Sequence, residues 1–477
     1  MSSNYKKQFI GRKSELETLQ SQYETRKSRL VVVYGRRRVG KSAVIKKFGE
    51  DKNFFYFEGV ENQSTSFQIS FLFEQLKKQT KDPLLNSLNV KSWIPILDYI
   101  STQIIAKIKR PVICFDELPW LAVGRSKLVS LIKSYWDNHW KDSDAIIILC
   151  GSLTTFMVKQ VVKSKALYGR INLEMNLKGF LPNESKLFFK NKISDKEILK
   201  YLLIFGGIPK YLEEINLSRS WEDNINAICF NKNSPMIEEV QKIFYSQFKE
   251  HRVYAEIVKS LLDKPKKAED LARDVKEASG GGFKEYLTNL QLADFIKDRN
   301  SLNLPKRYKL LEVVDEFLSF HYKYVSPNID LVKESNSKNL FERLCKNSIE
   351  SWLGIQFERF CRKYALQIAK VARFEDKVLK FGTIYQMGSD GYQFDIAYLR
   401  TDQTLILGEI KFTNTKVTSK VAREFEERLN KINLKSLKNN NIKKMLISLE
   451  GPSDELRELG YFDYFVQASE MLKVEGS

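Results

Sequence analysis

At 477 residues the chain is too long for one ordinary core, and typical domain sizes suggest about three domains. Hydrophobic residues make up 43% and aromatic residues 12%, which excludes an intrinsically disordered chain. Lysine and arginine total 78 against 59 aspartate and glutamate, a formal charge of +19. That excess favours polyanionic partners, nucleic acid first, although an AT-rich genome that encodes many lysines gives the same balance.

The segment from Met1 to Ile10 lacks the apolar core of a signal peptide. No run approaches the roughly 20 apolar residues of a membrane helix, so a cytoplasmic protein with no membrane segment is expected. Cys114, Cys150, Cys229, Cys345 and Cys361 are scattered, without a CxxC pair, and indicate neither a disulfide framework nor a zinc site.

Taken in chain order, three β-branched runs open the sequence: Leu30 to Tyr34, Val112 to Phe115 and Ala145 to Leu149. They read as buried strands. Helical segments at Ser66 to Gln79 and Leu128 to Trp140 lie between them, and the alternation predicts an α/β domain with a parallel sheet covered on both faces. After Gly206-Gly207-Ile208-Pro209 the strand signals fade, and Asp223 to Leu262 has helical spacing, a helical extension. Lys267 to Val275 and Gly282 to Leu290, followed by a hairpin at Phe295 to Ile296 and Tyr308 to Leu310 around Asn300, have the order of a winged helix. Asp315 to Val325 is strongly aromatic at helical spacing, which reads as a packing helix in preference to a base-stacking platform. Ser326 to Lys338 is polar and reads as a linker. Asn339 to Ala365 looks helical, and strands recur at Phe394 to Leu399, Leu405 to Phe412 and Met445 to Leu449, which predicts a second α/β domain. The expected boundaries are 1–212, 213–254 for the extension, 255–325 for the winged helix, 326–340 for the linker, and 341–477.

Gly35-Arg36-Arg37-Arg38-Val39-Gly40-Lys41-Ser42 satisfies G-x-x-x-x-G-K-[ST] directly after a strand and before an amphipathic helix, the context a phosphate loop requires. Gly35 and Gly40 allow the tight turn that aims backbone N–H groups at phosphates. Lys41 would reach the β and γ groups of ATP, and Ser42 would coordinate magnesium (Mg2+). Asp116 and Glu117 end a strand as a Walker B pair does, Asp116 holding magnesium through water and Glu117 serving as general base. Ser152, after the next strand, stands where a sensor residue could meet the γ-phosphate. Arg170 could act as an arginine finger from the same chain or a neighbour. Arg36, Arg37 and Arg38 read as solvated side chains.

These pieces in order resemble the prokaryotic AAA-like P-loop ATPases often called archaeal ATPases, related to the signal-transduction (STAND) ATPases. The resemblance rests on Phe9-Ile10-Gly11-Arg12 with Glu15-Leu16, the phosphate loop, Asp116-Glu117, Gly151-Ser152, Leu167 to Arg170, and Gly206-Gly207-Ile208-Pro209. It implies that Arg12 packs near the nucleotide base and that Pro209 lies near the nucleotide as a substitute sensor. It also implies a homo-oligomer that supplies Arg170 across an interface. The carboxy-terminal part resembles a domain of unknown function considered PD-(D/E)XK nuclease-like.

Gln393 to Leu399 and Leu405 to Phe412 read as two strands joined by a turn centred on Asp402, which sets Asp395 opposite Glu409. Lys411 would share their face. Opposed carboxylates call for a positive group between them, and magnesium held by Asp395, Glu409 and the Ile410 carbonyl, with Lys411 orienting water, would answer that need. The plainer alternative is a surface ion pair of Glu409 and Lys411. Glu358 matches the glutamate that the nuclease superfamily often supplies from its first helix, as an added metal ligand. The expected function is an ATP-hydrolysing protein whose nucleotide state controls a metal-dependent, nuclease-like module that binds DNA. The alternative is an ATP-switched regulator with a non-cleaving carboxy-terminal domain.

Overall fold

The computed structural model describes residues 9–474 except 123, 125, 153, 249, 276–281, 304–308, 336, 338, 387–390 and 432–440. The chain divides into two compact units, one ending at Gly179 and one running from Phe180.

The first unit is built on five parallel strands, β1 (Arg29–Tyr34), β2 (Phe54–Glu58), β3 (Val112–Asp116), β4 (Ile146–Gly151) and β5 (Leu173–Asn176), in the order β2-β3-β4-β1-β5. The three central strands are the expected ones. Each is a near-continuous run of Val, Ile, Leu, Phe or Cys because both of its faces are buried. The edge strands β2 and β5 escape the sequence pattern. Phe54-Phe55-Tyr56-Phe57-Glu58 is only half-buried and two of the four residues of Leu173-Glu174-Met175-Asn176 are polar, as edge positions permit. Helices Lys41–Gly49, Thr65–Thr80 and Leu128–Tyr135 accompany the sheet, and the Ser64 hydroxyl caps the second by accepting from the Phe67 amide.

In the second unit the helix Asp195–Phe205, capped by Ser194, stacks Phe205 on Phe317 with ring centroids 6.0 Å apart. Phe317, Phe320, His321 and Tyr324 are all buried, so the Asp315 to Val325 segment packs as expected. The helical extension is not continuous: helix Trp221–Cys229 is separated from Glu239–Gln247 by turns around Pro235, and a further break precedes His251–Ser260. Helices Ala268–Asp274 and Phe283–Leu292 precede an antiparallel hairpin of β6 (Ile296–Arg299) and β7 (Leu310–Val313), with Lys266 bridging to Leu311. The hairpin strands therefore lie one to three residues beyond their expected positions, and Tyr308 is outside the described residues. Part of the expected linker is folded. Ile329–Glu334 is a helix whose Val332 is buried, an apolar anchor that the polar composition of the stretch concealed.

The second sheet runs β12-β11-β10-β9-β8, from β8 (Val378–Gln386), β9 (Tyr392–Arg400), β10 (Leu405–Lys411), β11 (Ile442–Ser448) and β12 (Tyr464–Gln467). β8, β9 and β10 are antiparallel neighbours, and β10, β11 and β12 are parallel ones. The helix Lys420–Leu429 covers one face through Val421, Ala422 and Phe425. On the other face the Tyr398 hydroxyl donates to the Ala365 carbonyl.

Candidate functional site

The phosphate loop leaves β1 at Tyr34 and enters the Lys41–Gly49 helix through Gly40, whose φ of 91° is left-handed and suits glycine. Gly35 has φ 150° and sits against the Leu177 carbonyl, so that an added Cβ would lie 2.2 Å from that oxygen. Both glycines are required by geometry. The Lys41 ammonium is buried and donates to the Gly35 and Arg36 carbonyls, each at 3.0 Å. Arg36 is buried, not solvated as expected, while Arg37 is exposed and pairs with Glu61 at 3.2 Å.

Arg12 is buried against this loop. Its guanidinium donates to the Val39 carbonyl at 2.9 Å, to the Lys178 carbonyl at 2.6 Å and to Glu15 at 2.8 Å. Those contacts hold the loop backbone, so Arg12 acts on the site through Val39.

At the end of β3 the Asp116 carboxylate is fully buried and saturated with donors. The Ser42 hydroxyl and the Tyr56 hydroxyl each donate to Oδ2 at 2.5 Å, and the Glu117 amide donates to Oδ1 at 2.8 Å. Burial alone would raise its pKa, but these bonds and the Cys150 thiol outweigh burial and hold the carboxyl below the ordinary aspartate range. Asp116 and the Ser42 hydroxyl, 2.5 Å apart, are hard oxygen donors of the kind magnesium prefers. Glu117 has φ 48°, a left-handed conformation uncommon for a non-glycine residue. Its Oε2 accepts from the Ser152 hydroxyl at 2.8 Å and the Ser152 amide at 3.3 Å. Ser152, read from sequence as a phosphate sensor, here grips the candidate general base.

Tyr56, Glu58 and Lys46 were missed by the sequence reading. Glu58 pairs in register with Asp116, and its pKa is raised by burial and by the Asp116 and Glu117 carboxylates. The Lys46 ammonium lies 4.2 Å from the Tyr56 ring centroid. The alternation of Tyr56 and Glu58 on β2 was visible, but only the order β2-β3 brings them beside Asp116. Arg170 is engaged elsewhere: its guanidinium makes a two-point ion pair with Asp137, at 2.6 and 2.9 Å. In the second unit Pro209 opens the short helix Pro209–Leu212. An added Cβ on Gly207 would lie 2.1 Å from the Phe180 carbonyl, which explains that glycine by close packing.

The carboxylate pair lies within the second unit. β9 and β10 pair as far as Gly408 opposite Ile396, and Glu409 and Asp395 are the residues next along each strand, beyond that last pair. A bulge in β9, where Gly382 and Ile384 of β8 face Ala397 and Phe394, falls at Asp395. Asp395 Oδ2 accepts from the Ile410 amide at 3.1 Å and Oδ1 from the Gln393 amide group at 3.0 Å.

Glu409 is buried, and its two oxygens form ion pairs with Lys411 and Arg428, both at 2.8 Å. Burial and then Asp395 push the Glu409 pKa up against those cations. Burial would lower Lys411, but Glu409 outweighs it and keeps the ammonium firmly protonated. Glu358 pairs with Arg362 at 3.3 Å, and its pKa is raised by burial and by Asp395. Among the described residues no group of three His, Cys, Asp or Glu side chains is arranged to hold a metal ion. The positive charge expected from magnesium is supplied at Glu409 by Lys411 and Arg428. As arranged, Asp395, Glu409 and Glu358 do not form a metal cage. Arg428, on the helix facing β10, was missed because its proximity is tertiary.

Residues 9–215 match the family described as an ATPase domain predominantly from Archaea, and residues 321–425 match one described as Archaea bacterial proteins of unknown function. An uncharacterized protein of Methanocaldococcus jannaschii is 24% identical over 416 residues, covering 86% of this chain and 88% of that protein. An uncharacterized ATP-binding protein of the same organism is 52% identical over 44 residues, covering 9% of this chain and 75% of that protein. Among solved structures, the chain is similar to a Walker-type ATPase of Pyrococcus abyssi, with TM-score 0.48 and 19% identity, covering 66% of this chain and 96% of that one. It is also similar to the ORC2 protein of Aeropyrum pernix, with TM-score 0.45 and 12% identity, covering 70% and 96%. No helix among the described residues is long and apolar enough to cross a membrane.

Proposed function

We propose, from the premise that residues 9–215 are an ATPase domain of a family predominantly from Archaea, that this chain hydrolyses ATP as a switch for its nuclease-like carboxy-terminal module. The observation that carries the ATPase reading is the engagement of Ser42 with Asp116 beside a Glu117 gripped by Ser152. In this reading the loop amides and Lys41 bind the β- and γ-phosphates, the ammonium leaving the Gly35 and Arg36 carbonyls as it does so. Arg12 keeps the loop backbone in place. The chemistry that magnesium supplies, when held by Ser42 and Asp116, is charge neutralisation between the phosphates. Glu117, released from Ser152, accepts the proton of the attacking water. Arg170 reaches a nucleotide only after leaving Asp137, and in our reading it does so in a homo-oligomer.

The module's nuclease-like character is supported by Asp395 and Glu409 at the same end of the β9–β10 pair, with Lys411 in an ion pair with Glu409. Helices Ala268–Asp274 and Phe283–Leu292 with the β6–β7 hairpin and the Lys266 bridge support a winged helix, and the charge of +19 supports DNA as the partner. A specific observation favours the second reading, a non-cleaving regulator: Arg428 already neutralises Glu409. An assay on plasmid and single-stranded DNA, with and without ATP, separates the two. Cleavage lost in Lys411→Ala and altered in Lys41→Ala supports the nuclease; DNA binding without scission under any divalent metal supports the regulator.

A further inference from the structure

The phosphate loop is tied at both ends to the chain that leaves β5. The Leu177 amide donates to the Tyr34 carbonyl at 2.7 Å, and Gly35 packs against the Leu177 carbonyl. Arg12 joins the Val39 carbonyl, near the far end of the loop, to the Lys178 carbonyl. Two residues later the chain is held by other partners, all in the second unit. The Phe180 amide donates to the Gly207 carbonyl at 2.6 Å, the Tyr364 hydroxyl donates to the Phe180 carbonyl at 3.4 Å, and Phe180 is buried. Glu316 packs on Gly206, where an added Cβ would lie 2.5 Å from Oε2, and its Oε1 accepts from the Lys363 ammonium at 2.6 Å. Residues 180–215 therefore lie within the match to the ATPase family but fold in the same unit as the match of unknown function, to which Lys363 and Tyr364 belong. Helix Asp195–Phe205 makes the same association, with Lys196 paired to Glu450 at 2.6 Å and Lys200 to Glu350 at 3.7 Å.

We propose that Lys178-Gly179-Phe180 is the hinge through which nucleotide at the phosphate loop acts on the carboxy-terminal module, with Glu316, Lys363 and Tyr364 joining the Gly206-Gly207 turn to that module. This route rests on the nucleotide-binding reading of the loop. Gly179 alone separates the two sets of contacts. Its φ is not positive, so the conformation does not demand glycine, and what glycine adds is rotational freedom. The moving part is the loop backbone: phosphates draw the Lys41 ammonium away from the Gly35 and Arg36 carbonyls, and Gly35 shifts only with the Leu177 carbonyl it touches. A shift of Leu177 and Lys178 reaches Phe180 across one residue. Phe180 is bonded to Gly207 and Tyr364, so the turn and the module follow it as a body, which is how a hinge of a few residues redirects a packed unit. The coupling is reciprocal, and a ligand held by the module changes nucleotide affinity by the same factor.

The test is hydrogen–deuterium exchange of the full-length chain with and without a non-hydrolysable ATP analogue and magnesium, beside a fluorescent-nucleotide titration. In the parent chain the analogue is expected to change exchange by about threefold or more in residues 205–212 and 349–364. A Gly-Ser-Gly insertion between Gly179 and Phe180 lies downstream of the loop's contacts with Leu177 and Lys178, so that chain is expected to bind the analogue and to lose both changes. Glu316→Gln leaves the hinge intact and weakens the hold on Lys363. It is expected to keep the change in residues 205–212 and to lose that in residues 349–364, a result that does not depend on the insertion folding well. Changes that survive the insertion, a full response of residues 349–364 in Glu316→Gln, or a parent chain that binds the analogue with no change beyond residue 179 overturns the proposal and leaves nucleotide binding standing. A parent chain that fails to bind in the titration overturns the nucleotide-binding reading and this route together.

Discussion

The Ser152 hydroxyl donates a 2.8 Å hydrogen bond to Glu117, the carboxylate proposed above as the general base for ATP hydrolysis. While the bond persists, Glu117 is committed to a neighbour. Ser152→Ala removes one such restraint, worth about 1 kcal/mol, and is expected to raise basal ATP turnover about fivefold with little change in KM. A tenfold loss of turnover would instead identify Ser152 as a phosphate sensor.

Tyr56→Phe deletes one donor to buried Asp116. Hydrogen bonds keep the Asp116 pKa below its unfolded value, so its contribution to stability is present above the unfolded value near 3.9 and is lost as pH falls through the folded one. With a donor removed the folded pKa rises toward the unfolded value. Acid unfolding of Tyr56→Phe, followed by circular dichroism, is expected at higher pH than in the parent chain. The variant should also be less stable at neutral pH by about 1.5–3 kcal/mol, the range for a bond to a charged group.

Gly35→Ala puts a methyl group 2.2 Å from the Leu177 carbonyl, a backbone atom that cannot step aside cheaply. Fluorescent-nucleotide titration is expected to show at least a tenfold loss of affinity. Unchanged affinity would mean that the loop is free to move away from Leu177.

Arg428→Ala removes one of two cations neutralising Glu409. Manganese binding followed by electron paramagnetic resonance is expected to strengthen at least tenfold, and Asp395→Asn in the same background should abolish the gain. If Arg428→Ala binds no better than the parent chain, Arg428 is not what keeps a metal from this pair.

The phosphate loop, the strand ending in Asp116 and the antiparallel pairing of β9 with β10 were legible because each depends on local spacing: a strand, a turn and the twofold alternation of side chains. The aromatic helix at Phe317 to Tyr324 was legible for the same reason, its apolar residues recurring at helical intervals. Tyr56, Ser152's hold on Glu117, and Arg428 were not. They arise where strand order or helix packing brings distant segments together, and β2 in particular has none of the β-branched residues that mark β1, β3 and β4. Metal at Glu409 was a reasonable inference from two opposed carboxylates, but charge can be balanced by side chains from a third element that no pairwise register reveals.

The central claim is hydrolysis of ATP with Glu117 as base, and phosphate release by Glu117→Gln tests it most directly. General-base catalysis contributes about 10²–10⁴-fold, so the variant is expected to bind ATP with parental affinity and turn it over at least a hundredfold more slowly. Parental turnover by Glu117→Gln, with ATP binding intact, would contradict the assignment.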